Sequence, residues 1–306
     1  MQRPFKIMDL PEEEYILPGT RLCGGCGPQL AYRIILKALG LKTIVTVPAG
    51  CLTVLHGMQG ATPVKVPVLN CPFETAASTA SGIVASLKNQ GLEKEITVLA
   101  IAGDGGTVDI GIQALSGAAE RNTDMIFCCY DNEAYMNTGV QRSGSTPFGA
   151  LTSTTPIRGK LEHKKNMWAI MDAHGLNYIA TASIGFPIDL YSKFIKAKEM
   201  KGKGLRYIHL LAPCPPGWGY DTNLTIEMGK LAVRTGFWPL FEIIDGKFIL
   251  SNPSKMHLDA SKRENIENYI KLQRRYKKIT KEGIEELKNY INTLWKKIES
   301  RIKEVL

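Results

Sequence analysis

Short, almost wholly apolar runs recur along the chain at 43–47 (TIVTV), 66–69 (VPVL), 96–102 (ITVLAIA), 125–130 (MIFCCY), 177–181 (NYIAT) and 206–211 (RYIHLL). Between them lie stretches of helical spacing, roughly 28–39, 74–89, 108–120, 164–174, 187–199 and 223–235. A strand that is apolar on both faces must be covered on both, and each intervening stretch is long enough for a crossover helix. The alternation predicts an α/β fold, a doubly wound and mostly parallel sheet with helices on either side. FEIIDGKFIL (241–250) reads as a hairpin turning at Asp245-Gly246. The segment 131–163 has neither periodicity and is rich in Gly, Ser, Thr and Asn. So long an irregular stretch, placed just past an apolar strand, is expected to be functional.

From about residue 258 the pattern becomes amphipathic and helical, with Ile284, Leu287, Ile291, Leu294, Ile298 and Ile302 on one stripe. Residues 1–255 are therefore read as the main domain and 256–306 as a C-terminal helical extension that packs on it or on a partner and carries no chemistry. The net charge of +9 makes nucleic acid the first partner to weigh. Residues 261–306 hold 13 Lys and Arg against 7 Asp and Glu, however, so most of the excess sits in that tail. A solvated helical face explains it, with a basic docking face for an acidic protein partner as the alternative, and no nucleic-acid partner is expected. The chain has no run of about 18 apolar residues, so no membrane span is expected. The start has acidic residues and no apolar core, so it does not read as a signal peptide, and the expected location is the cytoplasm.

The strand ITVLAIA runs into Gly103-Asp104-Gly105-Gly106, with a helix expected from about Val108. A glycine-rich turn at a helix N-terminus offers backbone N–H groups to phosphate oxygens, and the Asp adds a hard ligand for a divalent cation. The next strand ends in Asp131-Asn132-Glu133-Ala134, with Asn132 28 positions after Asp104. One helix and one strand fill that gap, so both strand ends can meet at one sheet edge. The Asn132 side chain and a nearby carbonyl would complete an oxygen-only magnesium site. Asp109, His56 and His209 are read as structural.

Seven cysteines without a secretion signal argue against a disulfide framework. Cys128 and Cys129 belong to a buried strand. Cys23 and Cys26 form a CxxC in a glycine-rich loop, Cys51 follows the first strand in PAGC, and Cys214 follows RYIHLL in APCPPGWG. Four thiolates of this kind suit an iron–sulfur cluster or structural zinc. The glycines would let backbone N–H groups approach the sulfurs.

RLCGGCG, PAGC, AGDGGTVDIGIQALSGAAERN, YDNEAYMNTGVQRSGSTP and LAPCPPGWG together resemble the signatures of the 2-oxoacid:ferredoxin oxidoreductase family, specifically its thiamine-diphosphate-binding β subunits. The resemblance spans roughly residues 15–250 and implies a sheet of the thiamine-diphosphate-binding type. It implies Mg2+ on Asp104, Asn132 and the carbonyl of Ala134, with Gly50, Cys51, Gly103, Gly105, Gly106 and Thr138 also at the cofactor. It implies a [4Fe–4S] cluster on Cys23, Cys26, Cys51 and Cys214, and a catalytic Asn137 facing the substrate carbonyl. Pro28 stands where some members have a Glu.

The activity implied is oxidative decarboxylation of pyruvate to acetyl-CoA and CO2, with coenzyme A as co-substrate and electrons passed to ferredoxin. Only a pyrophosphate-binding half is visible, so the resemblance also implies a pyrimidine-binding α subunit, with γ and δ subunits or fused equivalents. Another 2-oxoacid (2-oxoisovalerate, 2-oxoglutarate or oxalate) or a non-redox thiamine-dependent decarboxylase are the alternatives.

Overall fold

The computed structural model describes residues 5–57 and 61–303, so the end of the tail, 304–306, lies outside the described residues. An eight-stranded sheet has the order β2-β1-β3-β4-β6-β5-β7-β8. The strands are β1 Thr43–Pro48, β2 Val68–Cys71, β3 Thr97–Gly103, β4 Ile126–Asp131, β5 Tyr178–Ser183, β6 Arg206–Leu211, β7 Phe241–Ile244 and β8 Lys247–Leu250. Neighbours among β1 to β6 are parallel, and β7 and β8 add an antiparallel edge. Asp245 and Gly246 both have positive φ (48° and 78°), the backbone that a two-residue hairpin turn demands. The second strand starts two residues later than its apolar pattern suggested and ends on Cys71 at the parallel edge.

Alternate residues of each central strand feed two separate cores. Leu99, Ile101, Ile126, Cys128 and Ile208 face one layer, packed by α1 (Gly27–Leu39), α2 (Cys51–His56) and α6 (Pro187–Glu199). Val98, Ala100, Phe127, Cys129 and Tyr207 face the other, packed by α3 (Ala76–Asn89), α4 (Ile112–Glu120), α5 (Met167–Asp172) and α8 (Thr225–Arg234). Cys128 and Cys129 are thus core residues, one in each layer.

The extension packs on the second layer. After α9 (Asn252–Lys255) at the end of the main domain, the short α10 (Ile266–Ile270) precedes the long α11 (Lys281–Lys303). Leu287, Ile291, Trp295 and Ile298 of α11 are buried in the same core as Trp218 and Phe241. Before α11 the extension is broken into short turns where the pattern from about residue 258 suggested helix, and one turn, Arg274–Tyr276, is tied down by Arg274 N–H to Gly219 O (3.2 Å) and Leu151 N–H to Arg275 O (2.8 Å).

Strand order fixes where a ligand can sit. The chain steps outward from β1 to β2 and then returns across β1 to β3. The crevice beyond the carboxyl ends of β1 and β3 is the switch point at which open α/β sheets bind ligands. Gly50 and Cys51 follow β1, Asp104 follows β3, Asn132 follows β4 and Cys214 lies just beyond β6.

Candidate functional site

The helix expected from Val108 does not begin there. Residues Gly105–Asp109 form a π-helical turn, closed by Ile110 N–H to Gly105 O at 3.1 Å, and α4 starts only at Ile112. Such a turn is wider than an α turn and occurs at functional sites. It also brings the backbone against aromatic rings: a Cβ on Gly105 would lie 2.5 Å from Tyr135 Cε1. Asp109 does more than sit near a helix start. Its carboxylate accepts from Tyr135 Oη (2.9 Å), Gly144 N (2.8 Å) and Lys165 Nζ (2.9 Å), binding the turn to the irregular segment that follows β4.

That segment is well built. Lys160 is buried and donates to the carbonyls of Ser143, Gly144 and Thr146 at 3.3, 3.1 and 2.7 Å. Glu133 (φ 67°) and Val140 (φ 64°) hold left-handed backbone, which is costly for a residue with a Cβ and persists only where the surroundings enforce it. Glu133 is held by Lys164 and by Arg275, each at 2.6 Å, and is almost wholly buried. Beside it, burial would push the Asp131 carboxyl up, but Lys164 (3.6 Å) and His209 (3.0 Å) outweigh this and hold it down at about 2.

The result is a convergence of oxygens. Asn132 presents its side-chain oxygen 3.0 Å from Asp104 Oδ1 and 2.9 Å from the carbonyl oxygen of Ala134. Turning that amide over would instead give two hydrogen bonds. With the amide turned, the ligand-free loop is closed by those two bonds; with its oxygen inward, Asn132 joins Asp104 and the Ala134 carbonyl as an acceptor that a cation would bridge. Adjacent ligands of an octahedral magnesium ion at ~2.1 Å stand about 3.0 Å apart, which matches these separations. Asp104 is 1% exposed. Burial and then the nearby Asp131 push its carboxyl well above the usual range, while Ser143 Oγ donates to it at 2.5 Å. A buried carboxylate so placed gains by meeting a positive charge. The residues present fit a magnesium ion.

The same oxygens border a cavity of about 220 Å³. Its walls include Gly50, Cys51, the turn from Gly103 to Gly106, Asn137 and Thr138. The structure therefore brings the expected cofactor residues together. Asn137 is exposed at the mouth. Thr138 spends its hydroxyl proton on Gln141 Oε1 (2.6 Å), so that side chain offers a ligand only lone pairs.

The cysteine loops adjoin this cavity through Cys51. Gly27 N–H reaches Pro213 O (3.2 Å) and Thr225 Oγ reaches Gly25 O (2.6 Å), locking the CxxC loop to the chain around Cys214. Gly25 (φ 70°) and Gly27 admit no side chain there, since a Cβ would strike Thr222 O or Pro213 O. All seven cysteines are free thiols. Burial, then Cys51 and Cys23, push Cys26 up to about 12; burial, then Cys23 and Asp104, push Cys51 to about 11; burial, then Cys51, Cys26 and Cys23, push Cys214 to about 12. The four thiols are thus electrostatic neighbours, although among the described residues no group of three or more His, Cys, Asp or Glu gathers as ligands of a single metal ion. Four cysteine thiols are the donor set that an iron–sulfur cluster takes.

One further feature was foreshadowed only at Cys26, which precedes the helix expected from about residue 28. Cys26 caps α1, Cys51 opens α2, and Cys214 caps the short α7 (Pro215–Trp218). Backbone N–H groups of Gln29 and Gly217 face the sulfurs of Cys26 and Cys214 and oppose the effect of burial. Helix starts favour negative charge.

A parallel sheet with a Gly-Asp-Gly turn at its switch point and an oxygen set for a cation defines the pyrophosphate-binding half of a thiamine enzyme. In keeping with this, residues 49–210 match the family model for the thiamine pyrophosphate enzyme, C-terminal TPP binding domain. Pyruvate synthase subunit PorB of Methanocaldococcus jannaschii is 47% identical over 94% of this chain and 97% of its own length. Ketoisovalerate oxidoreductase subunit VorB of Pyrococcus furiosus is 43% identical over 96% of this chain and 95% of its own. The 2-oxoglutarate:ferredoxin oxidoreductase from Magnetococcus marinus shares the fold, with a TM-score of 0.57 at 20% identity over 72% of this chain and 82% of that one. The chain belongs to the thiamine-diphosphate-binding β subunits of the 2-oxoacid:ferredoxin oxidoreductases. Among the described residues no helix is long and apolar enough to cross a membrane.

Proposed function

We propose that this chain, assembled with a pyrimidine-binding α subunit and with γ and δ subunits or their fused equivalents, oxidises pyruvate to acetyl-CoA and CO2 and passes the electrons to ferredoxin. The observation that carries the proposal is the meeting of Asp104, Asn132 and Ala134 oxygens at a cavity that also includes Cys51 and Asn137. Asp104, Asn132 and the Ala134 carbonyl would hold Mg2+, and the backbone of Gly103, Gly105 and Gly106 would receive the diphosphate. Cys23, Cys26, Cys51 and Cys214 would hold a [4Fe–4S] cluster, with helix starts stabilising its anionic state. When bound, thiamine diphosphate supplies the stabilisation of negative charge that decarboxylation needs, and the cluster takes up electrons one at a time.

The rest falls to this chain's own groups. The Asn137 amide, at the cavity mouth, donates N–H to the substrate's carbonyl oxygen as charge develops there. Phe73 and Tyr135, in edge contact at 5.8 Å, line the cavity with apolar surface. Coenzyme A, bound in the Magnetococcus marinus enzyme, serves as the acyl acceptor. Exposure of Asn137 accords with a partner subunit closing the site.

Similarity to pyruvate synthase subunits favours pyruvate, and similarity to VorB makes 2-oxoisovalerate the second reading. The test is anaerobic purification of the assembly, iron and sulfide analysis with EPR, and viologen reduction with each 2-oxoacid, with and without coenzyme A. About four irons per copy of this chain, beyond any in the partners, and fastest reduction with pyruvate would support the proposal. Zinc without iron would leave a non-redox thiamine decarboxylase. Faster reduction with 2-oxoisovalerate would select the second reading.

A further inference from the structure

Glu133 lies between the two loop residues that offer oxygens to the cation, and each of its polar atoms is engaged. Its N–H donates to Asp131 Oδ1 (2.9 Å) and its carbonyl accepts from Thr146 Oγ1 (2.7 Å). Its carboxylate takes Lys164 on one oxygen and Arg275 on the other, each at 2.6 Å. The left-handed turn at Glu133 lets the Asn132 side chain and the Ala134 carbonyl face the same point. Asn132 is fixed separately, since Trp218 Nε1 donates to its carbonyl at 2.7 Å. The Arg275 guanidinium lies 3.8 Å from the centre of the Trp218 ring, and its Nε donates to Gln273 Oε1 at 2.8 Å. One side chain of the C-terminal extension therefore touches both supports of the cation loop, one of them in the Cys214 loop.

We propose that Arg275 is a positioning residue for the cation site: it keeps Glu133 in the left-handed conformation and steadies Trp218 against Asn132, so that the Asn132 and Ala134 oxygens stand ready for the ion. The inference rests on the cofactor reading above but concerns this chain's own packing. Loss of the guanidinium leaves the Glu133 carboxylate with Lys164 alone and lets the loop relax toward ordinary backbone, turning the oxygens away from Asp104. Lysine at 275 keeps a charge for Glu133 but loses the planar contact with Trp218.

The test uses the purified assembly containing this chain. Half-saturating Mg2+ is measured at fixed thiamine diphosphate by tryptophan fluorescence, and backbone amide exchange over 131–134 is measured without ligand. Arg275→Met is expected to raise half-saturating Mg2+ by about 10-fold or more, the usual effect of removing a group that orients a metal ligand. It should also speed exchange in the loop. Arg275→Lys should recover part of both effects, and Glu133→Gln should move both in the same direction as Arg275→Met. Unchanged Mg2+ dependence and unchanged exchange in Arg275→Met, with only a lower melting temperature, would overturn the inference. If Arg275→Met does not fold, Arg275→Lys and Glu133→Gln decide it by the same two readouts. If the parent binds no thiamine diphosphate with Mg2+, the cofactor reading fails, and the exchange data still decide whether Arg275 sets the loop.

Discussion

The loop from Asp131 to Thr146 and the loops bearing Cys23, Cys26, Cys51 and Cys214 meet at one end of the sheet. In the first, buried charges are paired before any ligand arrives: Glu133 with Lys164 and Arg275, Asp131 with Lys164 and His209. In the second, the loops are held by backbone contacts and close-fitting glycines, and burial keeps the thiols of Cys26, Cys51 and Cys214 protonated. Under the proposed cofactor set the difference has a reason: a small hard ion would need its oxygens fixed at short range, as in a rigid loop, whereas a cluster would bring its own iron and sulfide framework and ask the protein only to keep thiols nearby and stabilise the charge that forms when their protons leave.

The contrast is broken most severely at Asp104. Asp104→Asn should lower thiamine diphosphate affinity in the presence of Mg2+ by more than about 100-fold, beyond the 10- to 100-fold typical of losing a supporting group. The same change should raise the melting temperature of the ligand-free protein, because it removes a buried carboxylate held above its usual range by burial and Asp131. Calorimetric titration and thermal melting together check both signs, and a ligand-free protein made less stable would show that the loop is not poised for a cation. Next in size, Lys160→Met removes three hydrogen bonds to loop carbonyls and should cost about 3 kcal/mol in denaturant unfolding.

A smaller effect follows from pH. The folded Asp131 carboxyl lies at about 2, below the ~3.9 of an unfolded aspartate, so its contribution is present above pH ~4 and lost as pH falls toward 2. It amounts to about 2 kcal/mol and should vanish from the acid limb of the stability curve in Asp131→Asn. The smallest stability effect sharpens the comparison from the other side. Cys51→Ser should alter unfolding of the metal-free chain by less than about 1 kcal/mol, since its thiol is only partly buried, yet bound iron should fall sharply. A destabilisation as large as that of Lys160→Met would mean that the cysteine loops are as tightly built as the cation loop.

Much of this was readable before the structure. Apolar runs near-continuous on both faces marked β1, β3, β4, β5 and β6, and the turn after β3 announced itself through Gly103-Asp104-Gly105-Gly106. Local signals failed where a residue's role is set by distant chain. Nothing around Cys51 marks a helix start, because α2 is short and its place is fixed by the switch point above β1. The π turn at Gly105–Asp109 has the composition of an ordinary helix start. Glu133 looks like any acidic loop residue, and its left-handed backbone follows from partners at 146, 164 and 275. Arg275 was hidden among the basic residues of the tail, where a solvated face was the natural expectation and where no chemistry was anticipated.

The tie between Arg275 and Glu133 also has a consequence in time. A chain is made from its N-terminus, and domains fold as they emerge during synthesis. All the motifs of the cavity leave the ribosome before the guanidinium that braces them, and Glu133 meets Lys164 long before it meets Arg275. A product of interrupted synthesis would carry the glycine turn, the asparagine and every cysteine, yet lack the brace on the cation loop. If Arg275 positions the loop as proposed, the brace reaches Glu133 only after the chain up to residue 275 has been made.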